Sequence, residues 1–266
     1  MKRILSALVL IPLVILLVIY APAPVYALAL AMLSGLALGE FYAIARKGGS
    51  ACQQVWGISV GVVVVAAVAR DWMRPEELLL AGTVISGCLC LFSEKPLEEL
   101  ARGWVFTVFG WIYIAVPISL LYSLRYGDYH QSGAKLIFFL LVLQWLQDTA
   151  AYFVGSAWGR HKIAPLISPK KSVEGSIAGL LAAVAGGLAF HFLVFDSTRL
   201  PQILLLSLAL GIIGQMSDIA ESLFKRAAAV KDSSQLIPGH GGVLDRIDGL
   251  LFAAPAFWLL LRHWPI

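Results

Sequence analysis

The sequence has few charged residues, few cysteines and no basic tail. Charged residues make up 14% of its 266 residues, against about 25% in an average soluble domain, whereas 59% are hydrophobic. This composition excludes an ordinary soluble protein and indicates one that lies within a membrane. The three cysteines form neither a disulfide framework nor a zinc-binding pattern. Without a basic tail or an RNA-binding motif, the sequence predicts no nucleic-acid partner.

Long apolar runs fill most of the chain. Nine of them approach the ~20 residues that an α-helix needs to cross a bilayer, although the third, fourth and ninth are short. The sequence therefore predicts an all-α polytopic membrane protein with about nine transmembrane helices. The predicted spans are 4–20, 25–45, 55–69, 78–92, 104–124, 136–155, 176–195, 203–220 and 250–261.

No internal repeat or linker divides the chain, so residues 1–266 are predicted to form one integral-membrane domain. Residues 1–124 are interpreted as mainly scaffold helices, and residues 136–250 as catalytic helices and cytoplasmic loops. More than two thirds of the 20 lysines and arginines fall in loops on the side of the N-terminus. The N-terminus and the polar loops are therefore expected in the cytoplasm, with the first helix retained rather than cleaved. A bacterial inner membrane is the expected location, and contact with anionic lipids accounts for the net charge of +4.

One polar stretch, residues 216–249, concentrates the charge of an otherwise apolar chain. Its glycine-rich turn lets backbone N–H groups approach an anion closely, since Gly241 and Gly242 have no Cβ. Carboxylates for a divalent cation, ammonium and guanidinium groups for phosphate, and an amide-rich loop together suit phosphoryl or nucleotidyl transfer. In a helix, four polar residues of this stretch would share one face: Asp218, Glu221, Ser222 and Lys225.

Two earlier segments hold further candidates. Asp148 lies in the sixth span, towards its cytoplasmic end, where a buried aspartate is expensive unless it is paired. It is interpreted either as a site residue or as a structural polar contact. Lys170 and Lys171 lie in the loop 155–175 beside a proline. They suit a phosphate group, but taken alone such a pair more simply fixes the membrane topology.

Two features of the spans are interpreted as structural. Glu40 lies near the cytoplasmic end of the second span, and snorkelling or pairing with Arg46 is favoured over a functional role. A stripe of small residues recurs every four positions from the residue just before the seventh span and is typical of close helix packing. Its members are Gly175, Gly179, Ala183 and Gly187.

The polar stretch resembles the signature of phosphatidate cytidylyltransferases, the CDP-diacylglycerol synthases. The resemblance covers 27 residues, and departures such as Gln147, Ala150, Ser217 and Ser234 remove no charged group. Two upstream blocks are also similar to that family, Asp148-Thr149-Ala150-Ala151-Tyr152-x-x-Gly155 and Ser168-Pro169-Lys170-Lys171-Ser172-x-Glu174-Gly175. The signature itself reads Ser222-x-x-Lys225-Arg226-x4-Lys231-Asp232-x-Ser234-x2-Ile237-Pro238-x-His240-Gly241-Gly242-Val243-x-Asp245-Arg246-Ile247-Asp248.

The resemblance implies a membrane enzyme, homodimeric in that family, that joins CTP and phosphatidate into CDP-diacylglycerol and pyrophosphate. It also implies a two-metal centre, magnesium with potassium, bound by Asp218 and Asp245. Asp248 and Asp148 are then expected as further metal ligands or as supports of the ligands.

The residues themselves suggest roles that agree with this activity. A phosphate monoester has its second pKa near ~6, so the lipid phosphate needs no strong general base. His240 is therefore interpreted as a phosphate or loop contact rather than a base, and Glu221 either as a metal ligand or as the partner of Lys225. The predicted catalytic residues are Asp218, Asp245, Lys225, Arg246 and Asp248. The predicted substrate-binding residues are Lys170, Lys171, Arg226, Lys231, Asp232, His240, Gly241, Gly242 and Ser222.

Two alternatives stay open. A CTP-dependent lipid kinase, or a cytidylyltransferase for another membrane lipid, needs many of the same groups, although the complete signature argues against the kinases. A transporter or channel would place ionisable groups at the membrane midplane in broken helices. Asp148, Asp218 and Glu221 instead lie near the predicted cytoplasmic ends of their spans.

Overall fold

The computed structural model describes residues 2–195, 198–237, 239, 241–264 and 266, with side chains from residue 8 onwards. Most of these residues are helical. The helices of the first half are α1 (Lys2–Tyr20), α2 (Ala23–Lys47), α3 (Gln54–Arg70), α4 (Pro75–Cys90), α5 (Leu97–Gly110), a π-helical turn (Trp111–Ala115) and α6 (Val116–Tyr126). There follow α7 (Gly133–Trp158), strands β1 (Lys162–Ala164) and β2 (Ser168–Ser172), α8 (Val173–Leu193), α9 (Leu200–Ala227), α10 (Leu244–Ile247) and α11 (Leu250–His263).

The prediction of an all-α membrane protein holds in its main point, but its detail needs two corrections. Of the described helices, five are long and apolar enough to cross a bilayer, fewer than the nine expected. The remaining predicted spans form shorter helices; α4 has 16 residues and α11 has 14. At 1.5 Å per residue such helices reach about 24 Å or less, short of the ~30 Å hydrocarbon core. The five long helices are Ala23–Lys47, Leu97–Tyr126, Gly133–Trp158, Val173–Leu193 and Leu200–Ala227.

The second correction is a small hairpin. β1 and β2 pair antiparallel, with Lys162 opposite Ser172 and Ala164 opposite Ser168. Ser172 then caps α8 by accepting a hydrogen bond from the Gly175 N–H at 3.2 Å. The hairpin lies within the predicted cytoplasmic loop 155–175.

The chain forms two compact units, Met1–Ser123 with Phe224–Ile247, and Leu124–Leu223 with Asp248–Ile266. In the first unit, α2 packs against α3, α5 and the π-helical turn. Phe224, from the last turn of α9, joins an aromatic cluster in this unit and packs edge-on against Phe41 at a centroid distance of 5.5 Å. The residues that follow α9 therefore pack with the N-terminal helices that the sequence marks as scaffold. The other rings of the cluster are Tyr42, Phe106, Phe109 and Tyr113.

In the second unit, the predicted small-residue stripe of α8 packs against α7 at Gly175 and Gly179 and against α9 at Gly187. All four stripe residues are buried. A Cβ on Gly175 would meet the Ala151 carbonyl of α7, and one on Gly179 would meet Gln147. The interpretation of the stripe as a packing surface is confirmed, since only small residues allow the two backbones to approach this closely.

Candidate active site

Three carboxylates converge in the second unit. Asp218 and Glu221 lie one turn apart on α9, and Asp248 directly precedes α11, with one oxygen of each carboxylate within 4.8 Å of the others. Ser217 links the two helices, because its hydroxyl donates to the Asp248 carbonyl and accepts from the Phe252 N–H. We call Asp218, Glu221 and Asp248 the carboxylate cluster.

The cluster concentrates negative charge. Burial, followed by the charges of Asp218, Glu221 and Asp148, raises the pKa of Asp248 well above its ordinary value near 3.8. The Lys171 ammonium lies 2.5 Å from an Asp218 carboxylate oxygen and offsets part of this charge. Three converging carboxylate oxygens suit a hard divalent cation such as Mg²⁺, so these residues fit the metal that the resemblance implies.

A cavity of about 640 Å³ opens beside Asp218 in the same unit, large enough for a small-molecule ligand. Helices α7, α8 and α9 and the β-hairpin line it, and its wall carries charges of both signs. Asp148 is exposed there rather than buried, which corrects the expectation of a costly buried carboxylate. The charged residues that line the cavity are Asp148, Asp218, Lys162, Lys170 and Lys171.

Glu174 holds the hairpin to the start of α8. Its carboxylate accepts hydrogen bonds from the N–H groups of Arg160 at 3.1 Å and His161 at 3.3 Å, and it contacts the His161 ring at 2.6 Å. Because β1 and β2 pair between His161 and Glu174, this contact fixes the hairpin that presents the cavity lysines. The block around Lys170 and Lys171 thus has a structural role in addition to its charge.

Asp245 lies in the first unit and is well supplied with donors. The Lys225 ammonium approaches it at 2.6 Å, the Gly242 N–H at 2.8 Å and the Ser233 N–H at 3.0 Å. Burial alone would raise the pKa of Asp245, but these donors hold it below the ordinary value. The Asp245 and Lys225 side chains are only 8% and 10% exposed.

Glu40 of α2 belongs to the same network. It is 8% exposed and accepts hydrogen bonds from the Ser233 and Ser234 hydroxyls and from the Val243 and Leu244 N–H groups. The interpretation of Glu40 as a snorkelling residue or as the partner of Arg46 is therefore wrong. An ionisable residue in an apolar helix was the sequence signal for this role.

The glycine-rich turn approaches anions as expected, but these anions are carboxylates of the protein. Gly241 has a left-handed φ of 79°, which favours glycine. A Cβ on Gly242 would overlap both Ser233 and Glu40. The N–H groups of residues 242–244 donate to Asp245 and Glu40. The assignment of Gly241 and Gly242 to substrate binding stays a prediction.

The structure divides the other predicted residues between the units. Ser222 is buried on α9 in the second unit. In the first unit, Arg226 is exposed and its guanidinium donates to the Val230 carbonyl at 3.0 Å. His240 lies outside the described residues. The remaining predicted residues of the first unit are exposed, namely Lys231, Asp232 and Arg246.

Comparison with known proteins gives a consistent result. A family model described as the cytidylyltransferase family matches residues 1–264. A protein named phosphatidate cytidylyltransferase from Staphylococcus haemolyticus is 32% identical over 202 residues, 75% of this chain and 75% of that protein. One of the same name from Brucella suis is 39% identical over 206 residues, 77% of this chain and 70% of that protein. Another from Haemophilus influenzae is 42% identical over 173 residues, covering 62% and 58% of the two chains.

Proposed function

The chain belongs to the cytidylyltransferase family, and we propose that it is an integral membrane enzyme that transfers the cytidylyl group of CTP to phosphatidate. The products are CDP-diacylglycerol and pyrophosphate. The observation that carries this proposal is the carboxylate cluster: it fits a divalent cation, and its Asp218 also lines a cavity that holds three lysines. Both substrates are phosphate anions, so the site must supply positive charge.

The reaction forms one bond and breaks one. An oxygen of the lipid phosphate forms a bond to the α-phosphorus of CTP. The bond between that phosphorus and the oxygen leading to the β-phosphorus breaks, and its electron pair leaves with pyrophosphate. A phosphate monoester is largely dianionic at neutral pH, since its second pKa is near ~6. No residue of the chain therefore has to remove a proton from the nucleophile.

The main barrier is the approach of two anions, which the cavity lysines lower. Lys162, Lys170 and Lys171 lie on the hairpin side of the cavity, where they would neutralise and orient phosphate groups. The Lys171 side chain is about a quarter exposed and its partner Asp218 about a third, so substrate phosphate can reach that ammonium.

Mg²⁺ would be held by Asp218, Glu221 and Asp248, with Asp148 as a further ligand or support. When bound there, the ion supplies charge neutralisation for the nucleotide phosphates. A second ion, potassium by resemblance, and the role of Asp245 as its ligand remain predictions. Phosphate contacts by Lys225, Arg226, Lys231 and Arg246 remain predictions as well.

The proposal includes an orientation in the membrane. The excess of lysine and arginine on the side of the N-terminus supports a cytoplasmic N-terminus and a cytoplasmic active site in a bacterial inner membrane. Five helices of the described residues are long and apolar enough to cross the membrane, and the higher number of about nine crossings remains a prediction. The homodimer rests on the family resemblance alone.

The test measures Mg²⁺-dependent pyrophosphate release by the purified protein in detergent, with CTP in the presence or absence of phosphatidate. We expect release only when both substrates are present, together with CDP-diacylglycerol. Diacylglycerol in place of phosphatidate serves as the control. Formation of CDP without pyrophosphate from a lipid alcohol would instead identify a lipid kinase, and inactivity of folded protein with every lipid would contradict the proposal.

A further inference from the structure

We propose that Glu40 is a positioning residue for the nucleotidyl transfer: it closes the loop after α9 and thereby sets the arrangement of Asp245 and Lys225. This inference rests on the proposed function. Glu40 lies in α2, far in sequence from the family signature, and the signature itself does not include it.

Both oxygens of the Glu40 carboxylate are used. One accepts from the Ser234 hydroxyl at 2.6 Å and the Val243 N–H at 3.0 Å. The other accepts from the Ser233 hydroxyl at 2.9 Å and the Leu244 N–H at 2.8 Å. A carboxylate has about four acceptor sites, so these four donors account for its full capacity.

The four donors come from both ends of one loop. Ser233 and Ser234 follow α9, whereas Val243 precedes α10 and Leu244 is its first residue. This short helix carries Asp245. Glu40, a residue of α2, therefore connects the beginning of the loop to its end by hydrogen bonds. Since Gly242 has no room for a Cβ beside Glu40 and Ser233, the loop packs directly on this carboxylate.

Ser233 connects Glu40 to the predicted catalytic pair. Its hydroxyl lies 2.9 Å from Glu40 and also 2.9 Å from Asp245, while its N–H donates to Asp245. A hydroxyl has one proton, so the two carboxylates share it. Asp245 in turn contacts Lys225 at 2.6 Å. A displacement of Glu40 would reach Lys225 through this chain of contacts.

Glutamine at position 40 tests this chain with little change in shape. Its NH₂ group cannot accept the N–H and hydroxyl donors that now meet one carboxylate oxygen. Glu98→Gln is the matched control, because Glu98 is exposed on α5 and pairs with Arg102. Ser233→Ala and Ser234→Ala each remove one hydroxyl from Glu40, and only Ser233 also contacts Asp245.

The experiment measures kcat and KM for CTP and phosphatidate, together with the thermal midpoint of each variant. We expect Glu40→Gln to lower kcat about 10- to 100-fold, with small changes in KM, because misplacement of reacting groups by about 1 Å can cost 10²-fold. Glu98→Gln should match the unchanged protein. In the Ser233→Ala background the effect of Glu40→Gln should shrink, since both changes break the same connection.

Several results would overturn the inference. One is an unchanged kcat in folded Glu40→Gln protein; another is a full, multiplicative effect of Glu40→Gln in the Ser233→Ala background. A loss of activity that only follows the loss of folded protein would reduce Glu40 to a structural role. If the Glu40→Gln variant does not fold, Ser234→Ala provides the test, because it removes a hydrogen bond to Glu40 and none of the contacts of Asp245. An unchanged kcat of the Ser234→Ala variant would contradict the proposal. Inactivity of the unchanged protein would instead count against the proposed function.

Discussion

The acidic residues of the two units differ in what surrounds them. In the first unit, Glu40 and Asp245 accept hydrogen bonds from serines and backbone N–H groups, and Asp245 also faces the Lys225 ammonium. In the second unit, the members of the carboxylate cluster face one another. Because the protein supplies hydrogen-bond donors to Glu40 and Asp245, these two carboxylates stabilise the fold. Mutual repulsion makes the cluster a place where a cation would stabilise the folded chain.

The largest expected effect is on catalysis in the second unit. Asp218→Asn should lower the rate of CDP-diacylglycerol formation at least about 10³-fold, because metal ligation contributes several kcal/mol to such reactions. The thermal midpoint without Mg²⁺ should stay the same or rise, since one repelling charge is removed. The rate and the midpoint are measured on the same purified protein.

A matched control uses the same chemical change at a neutral place. Asp71 directly follows α3 as its C-cap, with a left-handed φ of 48°, a conformation that asparagine also tolerates. Asp71→Asn should therefore keep normal activity. Near-normal activity of Asp218→Asn would remove the metal assignment from the second unit.

Asp245→Asn should instead destabilise the first unit. The change removes the Asp245 carboxylate from its buried ion pair with Lys225, and breaking such a pair typically costs about 3–5 kcal/mol. We expect a lower thermal midpoint along with lower activity, and the loss of stability should grow less as the pH falls. Folding lowers the pKa of Asp245, so its carboxylate stabilises the folded protein in full at any pH above its ordinary pKa. This stabilisation disappears as the pH falls through the lowered pKa of the folded protein.

The double variant Asp245→Asn with Lys225→Met separates the two effects. Removal of the buried ammonium as well should restore most of the stability and none of the activity. If Asp245→Asn retains its thermal midpoint and loses only Mg²⁺-dependent activity, Asp245 acts as a metal ligand, and the distinction between the two units fails.

The sequence predicts the long helices and the polar blocks well, since apolar length and a dense signature are local properties. It does not predict the donors around each carboxylate. Asp245 and Asp248 are three residues apart and look equivalent, yet one meets Lys225 and the other meets Asp218 and Glu221. Glu40 and Ser233 lie 193 residues apart, so no pattern within a segment could reveal their contact. The hairpin was missed because its short polar strands lack an alternating apolar pattern.

Mg²⁺ should stabilise the folded protein through the second unit. A ligand at 100 times its Kd contributes about 2.7 kcal/mol, which thermal unfolding in Mg²⁺ and in chelator can detect. We expect Asp248→Asn to abolish this gain, and Asp245→Asn to keep it. If both variants lose the stabilisation by Mg²⁺, Asp245 and Asp248 both take part in Mg²⁺ binding.

The pH dependence of the Mg²⁺ effect follows from Asp248. Its pKa is raised by folding, so the metal-free protein loses stability as the pH rises from the ordinary value near 3.8 through the raised one. Mg²⁺ binds the deprotonated carboxylate, so the gain from Mg²⁺ should increase over the same range. Thermal unfolding at several pH values, with and without chelator, measures both trends. A gain that does not depend on pH would exclude Asp248 from the site.

The smallest expected effect concerns the lysine of each unit. Lys171 and Asp218 are 26% and 32% exposed, and a pair with this access to solvent contributes about 0–1 kcal/mol, unlike the buried pair of Lys225. Lys171→Met should therefore leave the thermal midpoint nearly unchanged and raise KM for CTP or phosphatidate about tenfold, since a phosphate contact is lost. Lys95→Met, in an exposed loop, is the matched control. The Lys171 ammonium competes with a cation for Asp218, so the Lys171→Met variant should also bind Mg²⁺ more tightly. Weaker Mg²⁺ binding by this variant would contradict the competition. It would mean that Lys171 holds the metal ligands in place, as Lys225 does for Asp245.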